Sequence, residues 1–174
     1  TRLKQFFSET KWMFLIAAVI VAFDQLTKWL IRSNLAFGES WAPWDWLMPY
    51  ARLVYWKNTG VAFGMLQGMN FVFIILAAIV SIALIIYFPS VPRRDCLIRL
   101  ALSMELGGAV GNLLDRIQFG HVIDFISIGN FPVWNVADAC ITVGVFILLL
   151  GIYFQDRRDK REARLAEDNA PVTS

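Results

Sequence analysis

The sequence predicts an all-α membrane protein of four transmembrane helices, with a small β-rich extracytoplasmic cap and an outer-surface amphipathic segment. Three observations predict it. Of 174 residues, 57% are hydrophobic, above the roughly 45–50% of ordinary soluble domains, and mean hydropathy is +0.55. Four separate runs are long enough to cross a hydrocarbon layer, which takes about 20 apolar residues. The basic residues gather beside one set of run ends, and the tryptophans gather beside the other.

The expected spans are about 12–31, 71–88, 97–114 and 136–154. The first has basic residues ahead of it (Arg2, Lys4, Lys11) but carries Asp24 and Lys28 in its distal half and lacks a small-x-small cleavage pattern. It therefore reads as a retained span and not as a cleaved signal peptide. Orientation follows from Lys and Arg near the span ends. The N-terminal tail, the connection holding Arg93, Arg94 and Arg99, and the tail from Arg157 to Arg164 carry 11 of the 16 basic residues. These three segments are expected on the cytoplasmic side, which places both termini there and turns 32–70 and 115–135 outward.

The stretch from Trp29 to Trp56 holds five of the seven tryptophans. Such rings are enriched at headgroup level, so this stretch is expected along the outer membrane surface. Within it, Arg52–Lys57, Asn58-Thr-Gly60 and Val61-Ala-Phe63 read as strand, turn, strand. Val122–Ile128, Gly129-Asn130 and Val133-Trp134 have the same hairpin pattern. The tail from about Asp156, rich in Arg, Asp, Glu and Ala, reads as charged and disordered.

Composition also excludes function classes. A net charge of +2 is too small to suggest nucleic acid, and a lone histidine, His121, leaves no His-based zinc site. Two cysteines, Cys96 and Cys140, fall near opposite membrane faces, too far apart for a disulfide.

Charged groups at the bilayer centre cost about 2.5–3.5 kcal/mol and usually face a bundle interior or a watery cavity. Here nine polar residues fall in one outer layer: Asp24, Lys28, Asn58, Asn112, Asp115, Arg116, Asp124, Asn135 and Asp138. Asp24 and Lys28, at i, i+4, share a helix face and can pair. Arg116 is expected to neutralise Asp115. Gly107 and Gly111, with Gly108 beside them, form a small-xxx-small pair that lets helix backbones approach. Glu105, deep in the third span, has no evident role.

Asp124 and Asp138 remain without a cation. Asn135-Val-Ala-Asp138 reads as a helix start, with Asn135 as N-cap and Asp138 in the first turn. The helix-end potential would favour an ionised Asp138, and apolar neighbours would favour a protonated Asp124. Two close carboxyls that cannot both ionise supply a general base and a general acid. On spacing alone, a helix cap and a solvated loop residue fit the same two aspartates.

Five motifs in order then carry a resemblance: Asp24-Gln-Leu-Thr-Lys28, Asn58-Thr-Gly-Val-Ala-Phe63, Gly107-Gly-Ala-Val-Gly-Asn112-Leu-Leu-Asp115-Arg116, Val122-Ile-Asp124-Phe125 and Asn135-Val-Ala-Asp138. From about residue 12 to 154 the chain resembles the bacterial lipoprotein signal peptidases (signal peptidase II). The resemblance implies a metal- and cofactor-free intramembrane aspartyl endopeptidase of the bacterial cytoplasmic (inner) membrane. Its implied substrates are diacylglyceryl-modified prolipoproteins, cut just before the lipidated lipobox cysteine. It implies catalytic roles for Asp124 and Asp138 and supporting positions at Asp24, Lys28, Asn58, Gly60, Asn112, Asp115, Arg116, Asn135 and Ala137. Residues 1–154 would form one membrane-embedded catalytic domain, acting as a monomer among membrane lipids, and 155–174 a charged cytoplasmic tail. Three features depart from the family pattern: a shorter loop between the two aspartates, Trp134 where Phe often stands, and Glu105 in place of an apolar residue.

Other classes predict different patterns. A transporter would line a path across the membrane with polar groups, whereas here they pool at one face. A lipid-binding scaffold would bind lipoprotein and leave it intact. A serine mechanism through His121 and Ser127 lacks an orienting acid.

Overall fold

In a computed structural model the backbone is described for residues 2–60 and 68–168, and side chains for 6–60 and 68–167. Four helices, α1 (Arg2–Asn34), α2 (Asn70–Tyr87), α3 (Cys96–Phe119) and α4 (Val136–Asp168), carry three strands, β1 (Ser40–Trp41), β2 (Ala51–Asn58) and β3 (Val122–Ile128). All four helices are long and apolar enough to cross a membrane. At 1.5 Å per residue, the 33 residues of α1 and of α4 reach about 50 Å, well beyond a hydrocarbon core of roughly 30 Å.

The helices differ in what they face. In α3 the apolar window is 56% buried, against 22%, 17% and 17% in α1, α2 and α4, so α3 is the central helix and the others present their flanks to lipid. The sequence makes this packing close. A Cβ added at Gly107 would stand 2.8 Å from Ile20 Cβ on α1. One added at Gly108 would stand 2.5 Å from the Ala137 carbonyl oxygen on α4, and one at Gly111 2.8 Å from the Asp24 carboxylate. Glycine thus lets α3 seat against both neighbours at once, the use that small residues have in lipid, where no hydrophobic force draws helices together.

The apolar core lies at the end of the bundle near the α2–α3 connection, where Met13, Ala17, Phe88, Val91, Ile98, Leu102 and Leu106 pack together. Arg99 closes that end. Its guanidinium sits 4.2 Å from the Phe88 ring centroid and donates to the carbonyls of Val91 (2.7 Å) and Glu9 (2.6 Å). Here the structure corrects one expectation: the tail is not disordered from Asp156 but continues α4 to Asp168. Strong helix formers such as Ala, Arg and Glu fill it. Lys160 pairs with Asp156 at i, i+4 (2.7 Å), and Arg94 of the α2–α3 connection holds Glu162 (3.2 Å).

At the opposite end the strands form one antiparallel sheet in the order β1–β2–β3. Its register sets Trp56 opposite Asp124 and Asn58 opposite Val122, with a bulge between Leu53 and Trp56. The hairpin after β3 turns at Gly129, whose φ of +52° is a left-handed value that glycine adopts at no steric cost, and returns so that Trp134 bridges Ile126. The expected partner strand at 61–63 lies outside the described residues; β2 pairs with β1 and β3. The surface segment is a short β1, a single 3-10 turn at Asp45–Leu47 and exposed aromatics, with Trp44 and Trp46 stacked at 5.9 Å.

Candidate active site

The C-terminal end of α3, the neighbouring parts of α1 and α4, and the sheet put the polar residues of the sequence into one buried cluster. Its base is an ion triad. The Lys28 ammonium, 1% exposed, lies 2.8 Å from Asp24 Oδ2 and 2.9 Å from Asp115 Oδ2, both carboxylates being fully buried. The partner of Asp115 is therefore Lys28 on α1 and not Arg116. Residues adjacent on a helix point away from each other, whereas α1 and α3 pack side by side. The surplus negative charge of two carboxylates on one ammonium is met by backbone N–H groups. Ala137, in the first turn of α4, donates to Asp24 Oδ1 (2.9 Å), and Ile123 donates to Asp115 Oδ2 (3.0 Å). A carboxylate at a helix N-terminus is favourably placed.

Lys28 also donates to Asn112 Oδ1 (3.0 Å), and from there the cluster reaches the two remaining aspartates. Asn112 Nδ2 donates to Asp138 Oδ1 (2.8 Å). Asn135 Nδ2 donates to Asp124 Oδ1 (2.7 Å) and to Asn112 Oδ1 (3.2 Å). Asn58 Nδ2 donates to Asp124 Oδ2 (2.8 Å). The sequence accounts for each placement. Asn58 is two residues beyond Trp56, the cross-strand partner of Asp124, and so reaches it diagonally on the same face. Its own Oδ1 takes the Gly60 N–H (3.0 Å), the local turn that asparagine favours.

Asn135 and Asp138 form a reciprocal cap at the start of α4. Asp138 N–H donates to Asn135 Oδ1 (3.0 Å), and Asn135 N–H donates to Asp138 Oδ2 (3.3 Å), the two-way pattern of a capping box. Asp124 and Asp138 are thus tied to the same asparagine, one through its side chain and the other through its backbone. Burial, followed by the nearby charge of Asp138, pushes the Asp124 carboxyl up to about 7, with the amides of Asn58 and Asn135 offsetting part of the rise.

A cavity of about 670 Å³ opens beside Asp138, Asn58, Asn112 and Arg116, walled by the β3 hairpin and by Ala139, Thr142 and Val143 of α4. Arg116 leans into it, with its guanidinium 5.2 Å from the Phe73 ring centroid and 3.4 Å from the Gly60 carbonyl. Eleven expected site residues, from Asp24 to Asp138, therefore meet in one region. Gln25 was missed. Its amide donates to Asp115 Oδ1 (2.9 Å) and the Gly111 carbonyl (3.1 Å). Its signal is the polar face that it forms with Lys28 at i+3 in an otherwise apolar helix. Asn70, which holds the Arg116 carbonyl from the start of α2 (3.2 Å), has no such signal. Glu105 stays apart, with a buried Oε1 that has no hydrogen-bond partner among the described residues, and nothing in the structure explains it.

Comparison with known proteins shows the family and fold of the chain. The family model described as signal peptidase (SPase) II matches residues 16–154. The chain is 38% identical over 152 residues to a lipoprotein signal peptidase of Shouchella clausii, covering 87% of this chain and 99% of that one. Against the Brevibacillus brevis lipoprotein signal peptidase it is 41% identical over 151 residues, 86% and 99% of the two chains. A solved bacterial membrane enzyme superposes with a TM-score of 0.76 at 32% identity, over 85% of this chain and 90% of that one. A four-span membrane chain with this match over most of its length belongs to the signal peptidase II family of aspartic-type peptidases.

Proposed function

We propose that the chain removes signal peptides from diacylglyceryl-modified prolipoproteins, cutting just before the lipidated cysteine, with water activated between Asp124 and Asp138. The observation that carries this reading is Asn135, which engages both carboxylates, one of which, Asp138, lines the cavity together with Asn58 and Asn112. Below about pH 7 the raised Asp124 holds the shared proton, and Asp138, at the N-terminus of α4, is the base. Asp138 takes a proton from water as its oxygen attacks the scissile carbonyl carbon. The carbon–nitrogen bond then breaks, and Asp124 gives its proton to the departing amine. Asn58, Asn112 and Asn135 hold the carboxylates in place, and the Lys28 triad fixes Asn112 behind them.

In this reading both termini are cytoplasmic, the cavity opens near the outer face, residues 1–154 act as the catalytic domain, and the tail 155–174 lies on the cytoplasmic side. The reading includes action as a monomer surrounded by lipid. The test is cleavage of a diacylated prolipoprotein by the purified protein in detergent. A single cut before the lipidated cysteine is expected, surviving chelator and absent in both Asp124→Asn and Asp138→Asn. Wild-type cleavage by either folded variant would overturn the assignment of the pair.

A further inference from the structure

The extension of α4 has two unlike faces. One is docked: Arg158 pairs with Asp95, whose side chain is 2% exposed, and Gln155 Nε2 donates to the same carboxylate (3.2 Å). On that face Asp159 and Glu162 meet Arg94 at 3.6 and 3.2 Å. These contacts fix the rotation of the helix. At 3.6 residues per turn, the opposite face then presents Arg157, Arg161 and Arg164, all exposed. Among the described residues, no ion pair engages any of the three, whereas the acidic residues of the docked face are all matched.

The same face continues along the membrane span. Counting back from Arg157 by four, three and four residues gives Tyr153, Leu150 and Phe146, exposed by 53%, 54% and 65%. Arg157 lies 5.7 Å from the Tyr153 ring centroid, a pairing of an aromatic ring and a cation suited to headgroup level. One stripe therefore runs from apolar side chains to guanidinium groups, in the order in which a phospholipid runs from acyl chain to phosphate. From Arg157 to Arg164 the helix rises about 10 Å, close to the Debye length of about 8 Å at physiological ionic strength.

We propose that this stripe is a binding surface for anionic phospholipids of the surrounding bilayer, with acyl chains along Phe146, Leu150 and Tyr153 and the phosphate on Arg157 and Arg161. Clusters of Lys and Arg just beyond a span attract anionic headgroups, and Asp95 sets the rotation that aligns them.

The test uses the full chain reconstituted in nanodiscs of equimolar phosphatidylglycerol and phosphatidylcholine, extracted gently, with the retained lipids counted by native mass spectrometry. Wild type is expected to retain phosphatidylglycerol over phosphatidylcholine by about tenfold. The ratio should fall towards one in Arg157→Gln/Arg161→Gln/Arg164→Gln and survive in the corresponding triple Lys variant. Excess inorganic phosphate should not displace the lipid; displacement would mean a free-phosphate site and overturn the proposal. A wild-type ratio near one, or an unchanged ratio in the Gln variant, would also overturn it. Peptidase activity of the variants in neutral detergent should match wild type, which separates this proposal from the assignment of the active site.

Discussion

Asn135 and Asp138 cap each other across the first turn of α4, and the free end of the same Asn135 side chain holds Asp124 at 2.7 Å. One asparagine thus has two separable duties. Asn135→Ser keeps an oxygen for the Asp138 N–H but cannot reach Asp124. Asn135→Ala loses both functions, and loss of an N-cap alone costs about 1 kcal/mol. Thermal unfolding in detergent should lower both variants, since each loses the buried bonds to Asp124 and Asn112, and lower Ala further than Ser, which keeps the cap. Cleavage should fall steeply in both. If Ser kept cleavage along with the cap, the bridge to Asp124 would be dispensable.

The titration of Asp124 gives a second prediction. Its carboxyl stands at about 7 in the folded protein, against about 4 for an ordinary aspartate. The proton that it gives to the leaving amine is present below about pH 7 and is lost above it, so kcat should decline through that pH. Stability follows the same sign. A raised folded-state value contributes stability that is whole below about pH 4 and is lost as pH rises through about 7. The melting temperature of wild type should fall across that window, and the corresponding slope should be missing in Asp124→Asn. Equal slopes in the two proteins would remove the basis for a protonated Asp124.

Lys28 faces two buried carboxylates, so its removal leaves both without a cation. Breaking a buried pair in this way typically costs about 3–5 kcal/mol. Lys28→Met should lower the melting temperature sharply and reduce cleavage, because Asn112 loses a donor that fixes it. Adding Asp115→Asn to Lys28→Met removes one of the stranded charges and should recover part of the stability. A double variant less stable than the single one would show that the ammonium is not what neutralises Asp115.

How far the sequence reaches depends on the range of each interaction. The Asp24–Lys28 pair and the Asn135–Asp138 cap lie within one helical turn, so spacing alone predicts them. The sheet was legible as strand patterns but not as pairing, since the partner of β2 is decided by how β3 returns from α3. The Lys28–Asp115 contact joins residues on different helices and follows only from the packing of α1 on α3; without it, the neighbouring Arg116 looked like the natural counter-ion. The helical tail was hidden for a similar reason: its charges read as a solvated run until Asp95 and Arg94, on another connection, supply their partners.

The glycines of α3 allow packing to be separated from chemistry. A methyl at Gly107 would meet Ile20 of α1 at 2.8 Å, while a methyl at Gly108 would meet the Ala137 carbonyl at 2.5 Å and Ile141 at 2.6 Å. Overpacking costs about 1–3 kcal/mol at either position, so Gly107→Ala and Gly108→Ala should both melt earlier. Only the second pushes on the turn that holds Asn135, Ala137 and Asp138. A displacement of about 1 Å can cost on the order of 100-fold in rate, so kcat should drop far more in Gly108→Ala than in Gly107→Ala at a temperature where both are folded. Equal losses would mean that α4 yields as a rigid body, carrying its cap and the Asp138 carboxylate with it, and that the cluster tolerates the shift.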